Sequence, residues 1–202
     1  MQIDWFTQFG LYVARDFFDV ELCARLREEA SAAAGVQATV RKTGAEYAVD
    51  ESRRRTKIAD VSSASLALVT ERLRAIQPQL ERHFEVETRG CRQPQFLVYR
   101  EGDFFRPHAD VSHEADAPAM ATGRQISVVV FLNDETAEPG PEGYCGGALE
   151  FYGLLDNPLL RERGLPLNGA RGALVAFRPE IVHGVSPVTH GERHTVVTWF
   201  EA

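Results

Sequence analysis

An imidazole and a carboxylate stand two positions apart in the segment YREGDFFRPHAD, which runs from Tyr99 to Asp110. Residues i and i+2 of an extended strand project to the same face, so His108 and Asp110 would point in one direction. These two side chains could therefore hold one metal ion together. The pattern His-X-Asp also arises by chance in many chains, and a third ligand is needed before it predicts a site.

The third ligand that we predict is His183, which closes an apolar run near the C-terminus. Two imidazoles and one carboxylate on one face of a metal form the facial triad of non-haem Fe(II) oxygenases, which leaves coordination positions open. Arg193 follows His183 by ten residues and opens a second apolar run. Its planar guanidinium is suited to a carboxylate, and the four residues together are far more specific than the His-X-Asp pair.

Further motifs in the second half of the chain extend this pattern. They are Tyr99, the segment RQISVVVFLND from Arg124 to Asp134, the segment GGALEF from Gly146 to Phe151, and the closing run from Arg193 to Phe200. With these motifs the chain resembles the 2-oxoglutarate- and Fe(II)-dependent dioxygenases of the prolyl 4-hydroxylase type. The resemblance covers the second half well and is loose before Phe96.

The resemblance implies a role for each motif residue. His108, Asp110 and His183 would be the catalytic metal ligands and would bind Fe(II). Arg193 would bind the 5-carboxylate of the cosubstrate 2-oxoglutarate. The hydroxyl of Tyr99 would form a hydrogen bond with the same molecule. O₂ would be the second cosubstrate, and ascorbate is a candidate further cofactor.

One position departs from the family's pattern. The animal oxygen-sensing members carry a tyrosine where this chain has Phe131. The far carboxylate of 2-oxoglutarate would therefore lose one hydroxyl donor, and Ser127 or Thr195 is expected to replace it.

Three residues are predicted to contact the substrate. Trp199 would lie on the strand that borders the site in the resembled enzymes, and Arg124 would belong to the substrate pocket. Arg55 belongs to a polar stretch from Arg41 to Lys57 that carries three consecutive arginines. This stretch is interpreted either as a solvated loop or as a basic substrate-binding loop near the entrance of the site.

The reaction implied by the resemblance is hydroxylation of an unactivated C–H bond, with release of succinate and CO₂. A prolyl residue in a protein or peptide is the first choice of substrate, and a free amino acid or other small metabolite is the second. The related nucleic-acid dealkylating enzymes carry a second arginine six residues after the first, where this chain has Trp199. A non-catalytic jelly-roll binding protein is the alternative of a different class, and a zinc hydrolase would leave Arg193 without a role.

Composition limits the partners and the location. The net charge of −7 argues against a nucleic-acid binder, which usually needs a basic surface. No apolar run is long enough for a membrane span, and no secretory signal pattern opens the chain. Three widely spaced cysteines suggest neither a disulfide framework nor a zinc finger. A cytoplasmic location without a membrane partner is expected, and the oligomeric state is left open.

The predicted fold is mainly β with flanking α: a double-stranded β-helix, or cupin-like jelly roll, supported by N-terminal helices. One domain is expected to span 1–202, with a helical support region over 1–90 and the jelly-roll core over 91–202. The substrate-side loop would lie near 41–57. Apolar periodicity predicts helices over 19–34 and 65–84, the second broken or kinked near Gln77 by Pro78, and 157–168 is expected to be an insertion with one helical turn.

Overall fold

The computed structural model describes residues 3–41, 47–111, 123–157 and 162–202, apart from the side chain of Arg41. The polar loop predicted over 111–123, including His113, lies almost entirely outside the described residues. Parts of the predicted substrate-side loop and of the predicted insertion do so as well.

Two α-helices and one short 3₁₀ helix (Ile3–Phe9) lie in the N-terminal half. Helix α1 (Val20–Ala32) begins after Asp19, whose carboxylate accepts a 2.7 Å hydrogen bond from the backbone of Leu22. Asp19 is therefore the N-cap of this helix. Helix α2 (Ser63–Phe84) is the long second helix, and it ends in a residue of left-handed conformation, Glu85.

Of the predicted break or kink in α2, the break is wrong, because the helix runs continuously through Pro78, and the kink stays a prediction. The proline lies on the exposed face, whereas Leu73, Ile76 and Leu80 on both sides of it are buried. Burial of this apolar face stabilises the helix by more than the loss of one backbone hydrogen bond destabilises it.

Seventeen strands are found in the described part of the chain. In chain order they are β1 (Tyr12–Ala14), β2 (Gly35–Gln37), β3 (Val40–Arg41), β4 (Tyr47–Ala48), β5 (Arg54–Arg55), β6 (Lys57–Ala59), β7 (Gly90–Cys91), β8 (Gln95–Tyr99), β9 (Phe104–His108), β10 (Arg124–Phe131), β11 (Cys145–Gly146), β12 (Leu149–Phe151), β13 (Leu165–Leu167), β14 (Leu174–Phe177), β15 (His183–Val185), β16 (Val188–His190) and β17 (Arg193–Glu201).

Two antiparallel sheets form the framework of the site. The larger has eight strands in the order β1-β14-β10-β17-β8-β6-β2, with β7 also paired to β17. The smaller has five strands in the order β13-β12-β15-β9-β5. Side chains from both sheets share apolar clusters, among them Val129 and Phe177 from the larger sheet with Phe151 from the smaller. The architecture confirms the predicted jelly roll.

Alternation along the central strands separates two faces of the larger sheet. On β10, Ile126, Val128 and Val130 pack in the cluster formed with the helices. Ser127, Val129 and Phe131 must then point to the opposite face, and the latter two join the cluster between the sheets. The same alternation on β17 directs Arg193, Thr195 and Trp199 to the inner face. Most of the candidate site residues therefore share one interior.

The N-terminal region also contributes strands to both sheets. Its strands β1, β2 and β6 extend the larger sheet, and β5 pairs with β9 at the edge of the smaller one. The described part of the predicted insertion contains strand β13, which pairs with β12, and the expected helical turn stays a prediction because 158–161 lie outside the described residues. Pairing with β12 determines the strand structure of this segment, and local periodicity gives no indication of that pairing. No helix in the described ranges is long and apolar enough to cross a membrane.

Candidate active site

The three predicted metal ligands lie together at one end of the space between the sheets. His108 ends β9 and His183 begins β15, and the two residues are direct partners in the antiparallel register. Asp110 follows β9, and its backbone N–H donates a 2.8 Å hydrogen bond to the carbonyl of Pro179. The candidate ligand atoms of all three side chains lie within 4.8 Å of one another. Strand pairing therefore brings the distant third ligand to the local pair.

Backbone contacts orient both imidazoles towards this centre. Nδ1 of His108 lies 3.0 Å from the carbonyl of Arg106, and Nδ1 of His183 lies 2.9 Å from the carbonyl of Ile181. Because a carbonyl only accepts, each Nδ1 donates a proton to it, and Nε2 is the ring atom left to bind a metal. The two Nε2 atoms lie 3.6 Å from Oδ1 and Oδ2 of Asp110, respectively. Such carbonyl contacts are the usual support of metal-binding histidines.

The protonation states also suit a metal. Burial alone would raise the pKa of Asp110, but His183, His108 and Arg124 outweigh it and hold that pKa far below its ordinary value. Burial lowers the pKa of His183 to about 4, although the charge of Asp110 opposes the shift. A neutral imidazole beside an ionised carboxylate is the donor set that a divalent metal binds. The three residues therefore fit a facial Fe(II) site.

Two neighbours hold Asp110 in place. The hydroxyl of Ser127 donates a 2.7 Å hydrogen bond to Oδ2, and Nη1 of Arg124 donates a 2.8 Å hydrogen bond to the backbone carbonyl of Asp110. The guanidinium of Arg124 also stacks on the ring of Trp199, 3.8 Å from its centroid. Both residues predicted for the substrate pocket thus lie beside the metal ligands. Ser127 contacts the ligand Asp110 and not the cosubstrate arginine.

Arg193 lies deeper between the sheets and is only 1% exposed. It stands opposite Tyr99 in the register of β17 and β8, with its guanidinium 5.1 Å from the Tyr99 ring and 5.3 Å from the Phe131 ring. Nη1 donates a 3.3 Å hydrogen bond to the hydroxyl of Thr195, and Nε is buried without a partner. No carboxylate of the described residues forms an ion pair with it. A buried guanidinium with free donors fits a bound carboxylate.

One cavity connects the two ends of the site. It is partly open to solvent, and residues of both sheets line it. The three metal ligands line one part of it, and Tyr99, Thr195 and Arg193 line another. An elongated dicarboxylate that reached from the metal to Arg193 would therefore stay within a single space.

The structure places Arg55 away from this cavity. Its guanidinium donates to the carbonyl of Gly102 and lies 3.9 Å from Oδ1 of Asp103. The neighbouring residue Arg54 lines the cavity instead, with its guanidinium 4.6 Å from the centroid of the Phe105 ring. Consecutive residues of a strand face opposite sides. The register of a two-residue strand in a polar segment cannot be predicted from the sequence.

A second residue that the sequence analysis missed is Tyr144. It is fully buried, and its hydroxyl has no hydrogen-bond partner among the described residues. A Cβ at Gly147 would meet both its ring and the side chain of Arg193, so the two side chains are neighbours. Burial raises the pKa of Tyr144 well above its ordinary value, and Arg193 opposes that shift. Its position next to Cys-Gly-Gly was the only available signal, and it is a weak one.

Comparison with known proteins agrees with this geometry. Residues 94–201 match the model of the 2OG-Fe(II) oxygenase superfamily, which is more than half of the chain. The chain therefore belongs to this superfamily, whose members use Fe(II), 2-oxoglutarate and O₂. The metal triad, Tyr99 and Arg193 all lie inside the matched region.

Two curated relatives are similar to about half of this chain. PKHD-type hydroxylases of Maricaulis maris (strain MCS10) and Teredinibacter turnerae (strain ATCC 39867 / T7901) are 33% and 28% identical over 103 and 109 residues, or 50% and 54% of this chain. The chain spans only 38% and 42% of their lengths.

The solved structures are similar along almost the whole chain. A Pseudomonas putida prolyl-4-hydroxylase has a TM-score of 0.69 at 20% identity, covering 98% of this chain and 96% of that one. A Trichoplax adhaerens prolyl hydroxylase, in complex with a hypoxia-inducible-factor peptide fragment, has a TM-score of 0.70 at 14% identity, with coverage of 98% and 86%. A viral collagen prolyl hydroxylase from Paramecium bursaria Chlorella virus-1, in its 2OG complex, has 0.61 at 15% identity, with 96% coverage of each chain. At these identities the likeness establishes the fold.

Proposed function

We propose that the chain is a 2-oxoglutarate- and Fe(II)-dependent dioxygenase that hydroxylates an unactivated C–H bond and releases succinate and CO₂. The observation that carries this proposal is a single cavity with two imidazoles and one carboxylate at one end and, at the other, a buried guanidinium that forms no ion pair with a described carboxylate. A hydrolytic zinc site would use the first feature and leave the second unexplained.

The residues at the two ends of the cavity would have different roles. His108, Asp110 and His183 would hold Fe(II), and Arg193 with Thr195 and Tyr99 would hold the far carboxylate of the cosubstrate. When bound, Fe(II) and 2-oxoglutarate would activate O₂, which oxidises both the cosubstrate, to succinate and CO₂, and the C–H bond. The protein fixes the geometry of these groups and excludes water, since Val129, Phe177 and Val185 line the same space.

The substrate that we favour is a prolyl residue in a protein or peptide. The curated relatives carry the name hydroxylase, and the three solved neighbours are prolyl hydroxylases, one of them holding a peptide. Arg124 stacked on Trp199 would border the substrate where it approaches the metal. A free amino acid or other small metabolite is the second candidate, because this fold hosts many different activities. A cytoplasmic location and a need for ascorbate stay predictions.

The test is turnover of 2-oxoglutarate by the purified protein. Apo-protein would receive Fe(II), ascorbate and 2-oxoglutarate, and succinate would be followed by NMR with and without proline-containing peptides. Succinate formation that depends on Fe(II) and rises with peptide is the expected result, and an Asp110→Ala variant serves as the control because it removes the carboxylate ligand.

Two negative results would have different meanings. A protein that neither forms succinate nor binds 2-oxoglutarate in the presence of metal contradicts the oxygenase proposal and favours a non-catalytic jelly-roll binding protein. Succinate formation that free amino acids stimulate and peptides do not would retain the oxygenase and replace the prolyl substrate by a small metabolite.

A further inference from the structure

Arg54 is held in the wall of the cavity by the pairing of β5 with β9. It stands opposite Phe105 in the register, and the carbonyl of the preceding residue, Arg53, accepts a 2.9 Å hydrogen bond from the backbone of Arg106. Its guanidinium lies 4.6 Å from the centroid of the Phe105 ring, and that ring stacks on His108 at 3.7 Å between centroids. The cation is therefore two stacked groups away from the metal centre.

The charge of Arg54 is buried without adequate compensation. The residue is only 9% exposed and its Nε has no hydrogen-bond partner. Its side chain makes one long hydrogen bond, 3.4 Å from Nη1 to the carbonyl of Thr39. No described carboxylate forms an ion pair with it. A guanidinium offers five N–H donors, and leaving them unpaired in a buried place is unfavourable unless a ligand completes them.

Nε is also buried without a partner in Arg55, Arg124 and Arg193, but the first two arginines have other partners. Arg124 donates to Asp110 and stacks on Trp199, and Arg55 lies at the carbonyl of Gly102 beside Asp103. Arg193 has free donors, but it stands at the cosubstrate end of the cavity. Among the described residues, Arg54 is thus the cavity cation left for the substrate.

We propose that Arg54 is a specificity-determining residue that binds a carboxylate of the substrate. This inference rests on the proposed function and deepens it by naming the substrate class. The planar fork of an arginine pairs with a carboxylate through two parallel hydrogen bonds, and both stacking distances along Arg54, Phe105 and His108 are short. The two distances together span about two Cα–Cα spacings of 3.8 Å, so a carboxylate bound to Arg54 would lie within about two residues of the group at the metal.

This carboxylate could come from two sources with the same chemistry. It could be the acidic side chain of a residue next to the hydroxylated proline, or the free carboxylate of a small amino acid. Two probe pairs separate them. One is a peptide with Glu-Pro beside the same peptide with Gln-Pro, and the other is free L-proline beside L-prolinamide.

The experiment measures binding, so that it does not depend on turnover. Protein loaded with 2-oxoglutarate, and with Mn(II) in place of Fe(II) to prevent reaction, is titrated calorimetrically with each probe. The acid member of one pair is expected to bind roughly 10- to 100-fold more tightly than its amide, because a charge-assisted hydrogen-bonded pair replaces a neutral contact. The pair that shows the difference identifies the source of the carboxylate.

Three variants assign the effect to Arg54. Arg54→Gln is expected to abolish the difference between acid and amide, and Arg54→Lys to retain part of it as a point charge without the fork. Arg53→Gln removes the same charge from an exposed neighbour and is expected to keep the full difference. Thermal unfolding of each variant shows that it is folded.

Several results would overturn the inference. They are equal binding of acid and amide by the wild type, a difference that survives in Arg54→Gln, and failure of both acid probes to bind protein that has taken up metal and 2-oxoglutarate. Failure of the protein to take up 2-oxoglutarate at all is a separate result, since it contradicts the proposed function itself.

Discussion

The hydroxyl of Ser127 donates a 2.7 Å hydrogen bond to Oδ2 of Asp110 across the interior of the barrel. Ser127 is 1% exposed and lies in the middle of β10, flanked on the same face by residues of the apolar cluster between the sheets. A strand in the rigid core therefore fixes the rotation of a carboxylate that itself follows the end of another strand. The sequence analysis offered the hydroxyl of Ser127 or of Thr195 to the cosubstrate, and the structure places that of Ser127 against Asp110.

Removal of this hydroxyl is expected to weaken metal binding. Groups that orient a metal ligand typically contribute 10- to 100-fold in affinity, so Ser127→Ala should bind Fe(II) or Mn(II) roughly 10-fold or more weakly in a calorimetric titration. Ser63→Ala, which changes an exposed serine at the start of α2, is the matched control. Wild-type affinity in Ser127→Ala would show that Asp110 is held by its backbone contacts alone.

Arg193→Gln is expected to separate ligand binding from stability. The guanidinium is buried and its Nε has no partner, so its removal should not lower the melting temperature of the ligand-free protein. The loss of a charge-assisted pair should weaken 2-oxoglutarate binding by about 10- to 100-fold or more. Thermal unfolding with and without 2-oxoglutarate and Mn(II) measures both effects.

Arg72→Gln, on the exposed face of α2, serves as the control for charge removal. A large fall in the melting temperature of ligand-free Arg193→Gln would mean that the arginine supports the fold, with Tyr99 and Phe131 as its packing partners. Such a result would also contradict the proposal that this end of the cavity binds a carboxylate.

Gly184→Ala is expected to disturb the metal site through the backbone. A Cβ at this position would lie 2.9 Å from the carbonyl oxygen of Phe105 and 3.2 Å from the nitrogen of Pro107, both in β9. The strand pair is irregular at this point, and only a residue without a side chain allows so close an approach. We expect a loss of about 1–3 kcal/mol in the free energy of unfolding, with weaker metal binding because β9 and β15 carry His108 and His183.

Urea unfolding and metal titration of the same preparations check this expectation. Gly140→Ala is the matched control, since no atom lies within 4 Å of the Cβ it would carry. Unchanged metal affinity in a destabilised Gly184→Ala would show that the two histidines keep their relative positions when the strands separate.

The parts of the site that the sequence predicts are those with local or motif-level signals. The spacing of His108 and Asp110 is a property of one extended strand, and the motif around His183 marks the third ligand. The position of Arg54 depends on the pairing of β5 with β9, which joins segments about fifty residues apart in the sequence. No local pattern encodes the register of such a short strand, so the neighbouring residue Arg55 was chosen instead.

The same distinction explains the errors in the fold. Pro78 is a local signal for a helix break, and burial of the helix face on both sides of it prevails. Strand β13 forms because β12 offers an open edge, and the segment itself shows no clear period. Propensity and periodicity describe a segment by itself, whereas these elements are decided by what they pack against.

His194 is expected to make stability depend on pH. It points from β17 to the opposite face from Arg193, is 3% exposed, and its Nε2 lies 2.9 Å from the hydroxyl of Ser31. Burial lowers the pKa of His194 to about 4; Glu192 opposes this shift, and Arg27 and Lys57 add to it. The imidazole is therefore neutral in the folded protein at neutral pH.

The sign of the effect follows from the two states. The ordinary pKa of the unfolded residue is 6.5. As the pH falls through this value, the unfolded chain binds a proton that the folded chain does not bind, so the free energy of unfolding decreases. Stability is unaffected by this residue above about pH 6.5 and decreases progressively down to about pH 4, where the total loss is about 3 kcal/mol.

Comparison with His194→Gln isolates this contribution, since His183 titrates in the same range and is common to both proteins. The free energy of unfolding by urea would be measured for both at intervals from pH 7.5 to 4. We expect the curve of the wild type to fall more steeply below pH 6.5 than that of the variant. Parallel curves would show that His194 is protonated in the folded protein, with Glu192 and the hydroxyl of Ser31 stabilising its charge in spite of burial.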